Sequence, residues 1–282
     1  MALLEAIASR GEVAGPVALV VAHPDDETLG LGSRLGAFGA LTIIHLTDGS
    51  PRRLDDARRA GFADRAGYAA ARRAELDAAL HVLGAGAARR IAYEHPDQES
   101  IDSLDVIVDR LSADLDGVDA VITHPYEHGH PDHDTAALAV ALACRRLAAT
   151  GRRSPERLEF ASYHLRQGRI ALGVFWPDQG CPERRIELET LALENKRAAF
   201  ACHVSQRGVF PGYPLSPERL RAAPDYDFAA AAPPRDAVYD RFGWEMTSER
   251  WRAIASRAWR PRARPKEESP EWRSVHASTA ER

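Results

Sequence analysis

Apolar residues run unbroken through Val17–Ala22 and nearly so through Leu41–Thr47, and both runs are rich in β-branched side chains. Runs of this kind are strands buried on both faces, as in the middle of a parallel sheet. Shorter runs at Arg90–Tyr93 and Asp119–Thr123 supply a third and a fourth strand. Between them the apolar spacing becomes helical: Glu27–Phe38, Ala63–Leu83 closed by Gly84, Ile101–Leu115, and Thr135–Thr150 ended by Gly151. Asp48-Gly49-Ser50-Pro51 predicts a stop to the second strand, and the Arg-rich stretch to Gly61 predicts a loop. Alternation of strands and helices predicts an α/β fold, a Rossmann-like, doubly wound and mostly parallel sheet with spatial order 3-2-1-4.

Past Gly151 the pattern changes. Leu158–His164, Ile170–Phe175 and Arg184–Leu188 are expected to add strands, antiparallel to the rest, and Leu191–His203 and Ser248–Trp259 to form helices. Ser205–Trp244, rich in Pro, Ala and aromatic residues, is expected to wrap the body. Residues 1–259 are thus expected to form one domain, and 260–282, with its Pro, Glu, Ser and Arg, a disordered tail.

In a doubly wound sheet, ligands bind beyond the carboxyl ends of the strands where the order reverses. Here that point lies between strands one and four. The residues immediately past them are His23–Glu27 and His124–Asp134, so the fold prediction turns these two distant stretches toward each other.

Composition narrows the classes. The 282 residues carry a formal charge of -4 and a pI near 6.3, which gives no global attraction to nucleic acid or an anionic membrane. Lysine occurs only at 196 and 266, with arginine supplying the other basic residues; no function follows from that bias. Cys144, Cys181 and Cys202 are widely spaced and odd in number, so a disulfide framework is not expected. The longest early apolar run is too short for a membrane span or a signal core. These features lead to the expectation of a soluble cytoplasmic protein.

The first chemical segment is AHPDDE, Ala22–Glu27. Acids at a helix N-terminus can serve only as caps and dipole partners. That accounts for one or two carboxylates but not for the preceding histidine. The second is HPYEHGHPDHD, His124–Asp134, which holds four of the chain's eleven histidines. One histidine alone would read as a surface turn, but this cluster ends a buried strand opposite a second His/Asp segment. Together they define a candidate metal site. Three ligands of His and Asp type leave one zinc position open to water, the mark of a catalytic centre. Zinc brings such a water to a pKa near 7, and spare carboxylate and imidazole groups act as base, acid or oxyanion stabiliser.

These residues resemble the PIG-L/LmbE-like N-deacetylase family. AHPDDE at Ala22–Glu27 and GHPDH at Gly129–His133 match its two main motifs. Thr47-Asp48-Gly49, Arg72 with Glu75 before Leu83-Gly84, and Lys196, His203, Ser205 and Gln206 match further positions, so the resemblance runs over residues 15–206. It implies zinc ligands His23, Asp26 and His133, Asp25 as general base toward water, and His130 as general acid or stabiliser of the tetrahedral intermediate. Iron(II) or cobalt(II) also suits His/Asp donors. Arg72 and Asp97 match positions that contact substrate hydroxyls in sugar-processing relatives. His128 stands where the mycothiol-type relatives carry a tyrosine, which makes it a candidate substrate contact, and Tyr126 is an alternative source of a hydroxyl. The implied substrate is a small N-acyl amino sugar; a non-sugar amide or ester, or a non-catalytic binding protein on the same fold, are the rivals. A homo-oligomer is compatible with the resemblance.

Other signals are weaker. Gly30-Leu31-Gly32-Ser33-Arg34-Leu35-Gly36 is spaced GxGxxxG and begins within a predicted helix, which favours close packing over a dinucleotide site. Arg52, Arg53, Arg58 and Arg59 read as a solvated basic loop, with an anion contact as the alternative. Phe210, Tyr213 and Trp244 are candidate walls of a sugar or acyl pocket.

Overall fold

The computed structural model describes residues 2–260 apart from Arg10, Gln179 and Phe210. The expected tail therefore lies, but for Arg260, outside the described residues, as does the aromatic candidate Phe210.

Nine strands are described: β1 (Val13–Val21), β2 (Phe38–Pro51), β3 (Arg89–Asp97), β4 (Ala120–Thr123), β5 (Glu156–Phe160), β6 (Tyr163–Arg166), β7 (Arg169–Leu172), β8 (Arg184–Ile186) and β9 (Glu218–Ala222). The main sheet runs β3-β2-β1-β4-β5-β9-β8, and β6 with β7 makes a separate hairpin. The pairs β1–β2, β1–β4, β2–β3 and β4–β5 are parallel, whereas β9 is antiparallel to both β5 and β8. The expected 3-2-1-4 order is therefore present at the centre of a mostly parallel α/β sheet.

The helices are α1 (Ala2–Ala8), α2 (Asp26–Leu31), α3 (Asp55–Arg59), α4 (Arg65–Val82), α5 (Leu104–Asp114), α6 (Pro131–Ala149), α7 (Thr190–Cys202) and α8 (Ser248–Trp259). They cover both faces, and period-two alternation along β1 shows how. Ala18 and Val20 join Ile107 and Leu111 of α5, Leu138 of α6 and Trp251 of α8 in one core. Val17, Leu19 and Val21 join Leu76 and Leu80 of α4 and Ile7 of α1 in the other. Because β1 is buried on both faces it reads as continuous apolar sequence; each fully buried Leu or Val there contributes about 1.5–3 kcal/mol.

Several boundaries differ from expectation, and the differences bear on the site. β2 does not stop at Asp48. Its pairing with β3 slips but resumes at Thr47↔His95 and Pro51↔Asp97, with Gly49 at φ +67° absorbing the irregularity. β3 consequently extends to Asp97. The predicted loop after β2 contains the short helix α3. α6 begins at Pro131, not Thr135: His130 is its N-cap, and Pro131 takes the first turn, where a missing N–H costs nothing. The expected strand over Leu158–His164 is two strands, and the first of them, β5, is parallel to β4 and antiparallel only to β9. β9 was not anticipated, because its charged residues leave Leu220 as the sole large apolar residue in it. The glycines of the GxGxxxG stretch serve packing: a Cβ on Gly30 would fall 2.3 Å from the Phe160 ring and one on Gly36 would fall 2.7 Å from the Leu83 carbonyl oxygen.

Candidate metal centre and active site

The chain leaves β1 at Ala22 and reverses at once. The amides of Asp25 and Asp26 donate to the His23 carbonyl, and the His23 amide donates to Asp26 Oδ2 at 2.8 Å. β4 ends beside it, and the two exits are tied where the Ala22 amide donates to His124 Nε2 at 3.2 Å. The switch point therefore holds the two histidine segments in contact.

Asp26 lies at the centre. Its carboxylate oxygens stand 3.3 Å from His23 Nδ1, 3.3 Å from His133 Nε2 and 3.3 Å from His124 Nε2. The opposite nitrogens of the two expected histidine ligands are already engaged: His133 Nδ1 lies 3.1 Å from Ser162 Oγ, and His23 Nε2 lies 3.1 Å from Asp97 and 3.3 Å from Asp132. Asp132 is itself fixed by the Ser100 hydroxyl and the amides of Gln98 and Ser100. This is the arrangement in which outer partners orient imidazoles toward a shared ion.

The donor set fits a divalent cation on electrostatic grounds too. Burial works to lower the His23 pKa, but Asp97, Asp132 and Asp26 raise it well above the ordinary histidine range. Burial works to raise the Asp26 pKa, and His133 and His124 pull it well below the ordinary carboxylate range. The pocket thus favours positive charge against ionised carboxylate. His124 differs: burial, with His133 beside it, pushes it down to about 4, and as a neutral ring accepting from Ala22 it stacks on His133 with centroids 3.8 Å apart.

Asp25 (3% exposed) points the other way. Its Oδ2 accepts from Arg72 Nη2 at 2.7 Å, and Arg72, equally buried, also donates to the Gly49 carbonyl. His130 caps α6: its Nδ1 accepts from the Asp132 amide at 3.2 Å, so its proton sits on Nε2, which lies 3.5 Å from Asp97 Oδ1. Burial and the nearby His23 hold the His130 pKa well below the ordinary range. Burial likewise raises that of Asp97.

The structure thus gathers seven of the eight expected site residues, His23, Asp25, Asp26, Arg72, Asp97, His130 and His133, into one buried cluster. His128 is the correction. It is fully buried at φ +56°, its Nδ1 faces Asp134 at 2.8 Å and its Nε2 accepts from the Ala232 amide at 3.2 Å. Both nitrogens are committed to the fold, and no edge remains for a substrate. Tyr126 is likewise in the core, donating to the Ala230 carbonyl. Arg72 is occupied by Asp25 and Gly49, which makes it a partner of Asp25 first. Asp132, Ser162 and Tyr163 were missed, whereas Trp244, expected as a pocket wall, packs on His130. Asp132 lies inside GHPDH, and its position before the expected ligand His133 was the available signal; Ser162 and Tyr163 reach the cluster at the entry to β6, which carries no motif.

The fold and this cluster define an α/β protein with a buried His/Asp centre at its topological switch point. Residues 18–144 match the family model described as PIG-L: GlcNAc-PI de-N-acetylase. No curated protein sequence matches the chain. Among solved structures it is similar to the A40926 pseudoaglycone deacetylase Dbv21, with 17% identity over 76% of this chain and 98% of that one and a TM-score of 0.54. A triple mutant of a deacetylase of the teicoplanin biosynthetic pathway gives 17%, 73%, 97% and 0.56 in the same order. The 4-carboxy-2-hydroxymuconate hydratase GalB from Pseudomonas putida KT2440 gives 20%, 75%, 98% and 0.50. At these identities the likeness shows the fold alone, and a hydratase shares it, so the activity must be argued from the site. No helix among the described residues is long and apolar enough to cross a membrane.

Proposed function

We propose that this protein is a zinc-dependent hydrolase that removes an N-acyl group, acetyl in the first instance, from an amino sugar such as an N-acetylglucosaminyl conjugate. The observation that carries the reading is that the Asp26 carboxylate lies 3.3 Å from both His23 and His133, in a buried cluster where His23, His130 and His133, and likewise Asp26, His124 and His133, bring their donor atoms close enough together to hold one ion. The family description, a de-N-acetylase of a GlcNAc conjugate, and the deacetylase named in the Dbv21 structure support the substrate class.

His23, Asp26 and His133 would hold the ion. When bound it polarises the amide carbonyl and acidifies the attacking water. The remaining roles belong to the chain. Asp25 offers its second oxygen as proton acceptor, while Arg72 on Oδ2 fixes the carboxylate plane. His130, neutral with its proton on Nε2, donates a hydrogen bond to the oxygen on which charge develops, and the positive end of the 19-residue α6 reinforces it. The proton collected by Asp25 is then delivered to the departing amine. Asp97, whose Oδ1 lies near both His23 and His130, would accept a sugar hydroxyl.

The test is amine release from a panel of N-acyl glucosaminides and non-sugar amides, with and without chelator. Chelator-sensitive release from the glucosaminides is expected. Release only from non-sugar amides or esters would move the substrate class, and metal-free protein as active as the metal-loaded form would overturn the reading.

A further inference from the structure

The segment between Tyr239 and α8 carries no family motif, yet it closes one side of the cluster. The Trp244 ring packs on His130 with centroids 5.0 Å apart at 64°, and Phe242 lies against Trp244 with centroids 5.1 Å apart at 31°. Phe242 is 53% exposed, so its ring is open to solvent beside Trp244. Among the described residues the Trp244 indole N–H has no hydrogen-bond partner.

Both rings are held in place from either end. The Tyr239 hydroxyl donates to Asp134 at 3.1 Å, Arg241 donates to the Gly168 carbonyl at 2.8 Å, and the Ser248 amide and hydroxyl both bind Asp240. Gly243, at φ +63°, makes the bend between the two rings. An apolar surface pinned this firmly loses little entropy when a ligand settles on it.

We infer that Phe242 and Trp244 form a stacking platform for the pyranose ring of the substrate and so determine specificity for a sugar over an open-chain amide. This rests on the amide-hydrolase reading above. The C–H face of a pyranose meets the electron-rich faces of the two rings. The indole N–H supplies a donor to a ring or glycosidic oxygen, and Asp97 accepts from a hydroxyl. Trp244 touches His130, so the platform lies within reach of the scissile amide.

Steady-state kinetics on N-acetylglucosamine and on N-acetylethanolamine, which keeps the amide but lacks a ring, test this in Phe242→Ala, Trp244→Ala and Trp244→Phe. Loss of a stacking contact should raise KM for the sugar roughly 3- to 10-fold in Phe242→Ala, with kcat within about twofold. The kcat/KM ratio of sugar to open-chain amide should fall by a similar factor. Trp244→Phe should recover part of the loss of Trp244→Ala. An unaltered ratio in Phe242→Ala, whose exposed site tolerates substitution, overturns the platform. If the wild type hydrolyses neither amide, the hydrolase reading falls instead. The platform is then judged by saturation-transfer NMR with methyl β-D-glucosaminide: weaker binding in Phe242→Ala and Trp244→Ala supports it, and equal binding refutes it.

Discussion

Replacing Asp25 by Asn separates the chemical role of the residue from its structural one. Asp25 and Arg72 are 3% and 4% exposed and meet at 2.7 Å. Arg72 has one other hydrogen-bonding partner, the Gly49 carbonyl, and its Nε is buried without a partner. Deleting one member of such a pair outright costs about 3–5 kcal/mol, because the other charge stays buried. Asn keeps an acceptor oxygen and loses only the charge, so about 2–3 kcal/mol is expected, the range of a charge-assisted hydrogen bond. In a chain of this size that lowers Tm by roughly 5–10 °C. Removal of a general base lowers kcat by about 10²- to 10⁴-fold. Thermal melting, metal analysis and amine release on one preparation separate the two effects: the variant should be folded at 25 °C, retain its metal and be nearly inactive. Arg72→Met should destabilise similarly, and the double variant should be less unstable than the sum, since neither charge is then stranded. Turnover above a tenth of wild type would remove Asp25 from the base role. An unchanged Tm would show that the buried pair does not form.

Three further outcomes follow from particular contacts. His133→Ala should bind less than one metal per chain by elemental analysis; full occupancy would contradict its place among the ligands. Gly129→Ala should fail to accumulate as folded protein or should lose several degrees in Tm, since a Cβ there would lie 2.1 Å from the Tyr163 carbonyl oxygen, and a wild-type melt would refute the close approach. Glu159 is raised to about 8 by burial, with Glu127 adding to the shift and Arg221 opposing it. The folded chain therefore keeps a proton that the unfolded chain has lost, and stability should fall as pH rises from about 4.5 toward 8. Glu159→Gln should flatten the fall of Tm with pH over that window, and an identical slope would count against the assignment.

How much of this was legible depends on where the constraint was local. β1 and β4 announced themselves because burial on both faces leaves continuous apolar sequence, and once their order was inferred the meeting of His23 with His133 followed from topology. His128 was misplaced because spacing within a histidine-rich loop does not say which side chains turn inward to the cleft and which to the core. The left-handed φ at 128 turns that ring onto Asp134 and the Ala232 amide, partners 6 and 104 residues away. Arg72 was read as a substrate contact, whereas its guanidinium binds Asp25. Only the fold of β2 around Gly49 shows that the guanidinium is already spent on Asp25 and a backbone carbonyl. β9 was missed for the opposite reason. Glu218 and Arg221 look like solvent-facing charges, yet each is buried against a partner far away in sequence, Lys196 for the one and Glu159 with Glu127 for the other. Buried ion pairs between distant elements are thus where pattern reading fails on this chain. Trp244 was singled out as a pocket wall, but its contact with His130, more than a hundred positions earlier, is likewise a long-range relation that pattern does not carry.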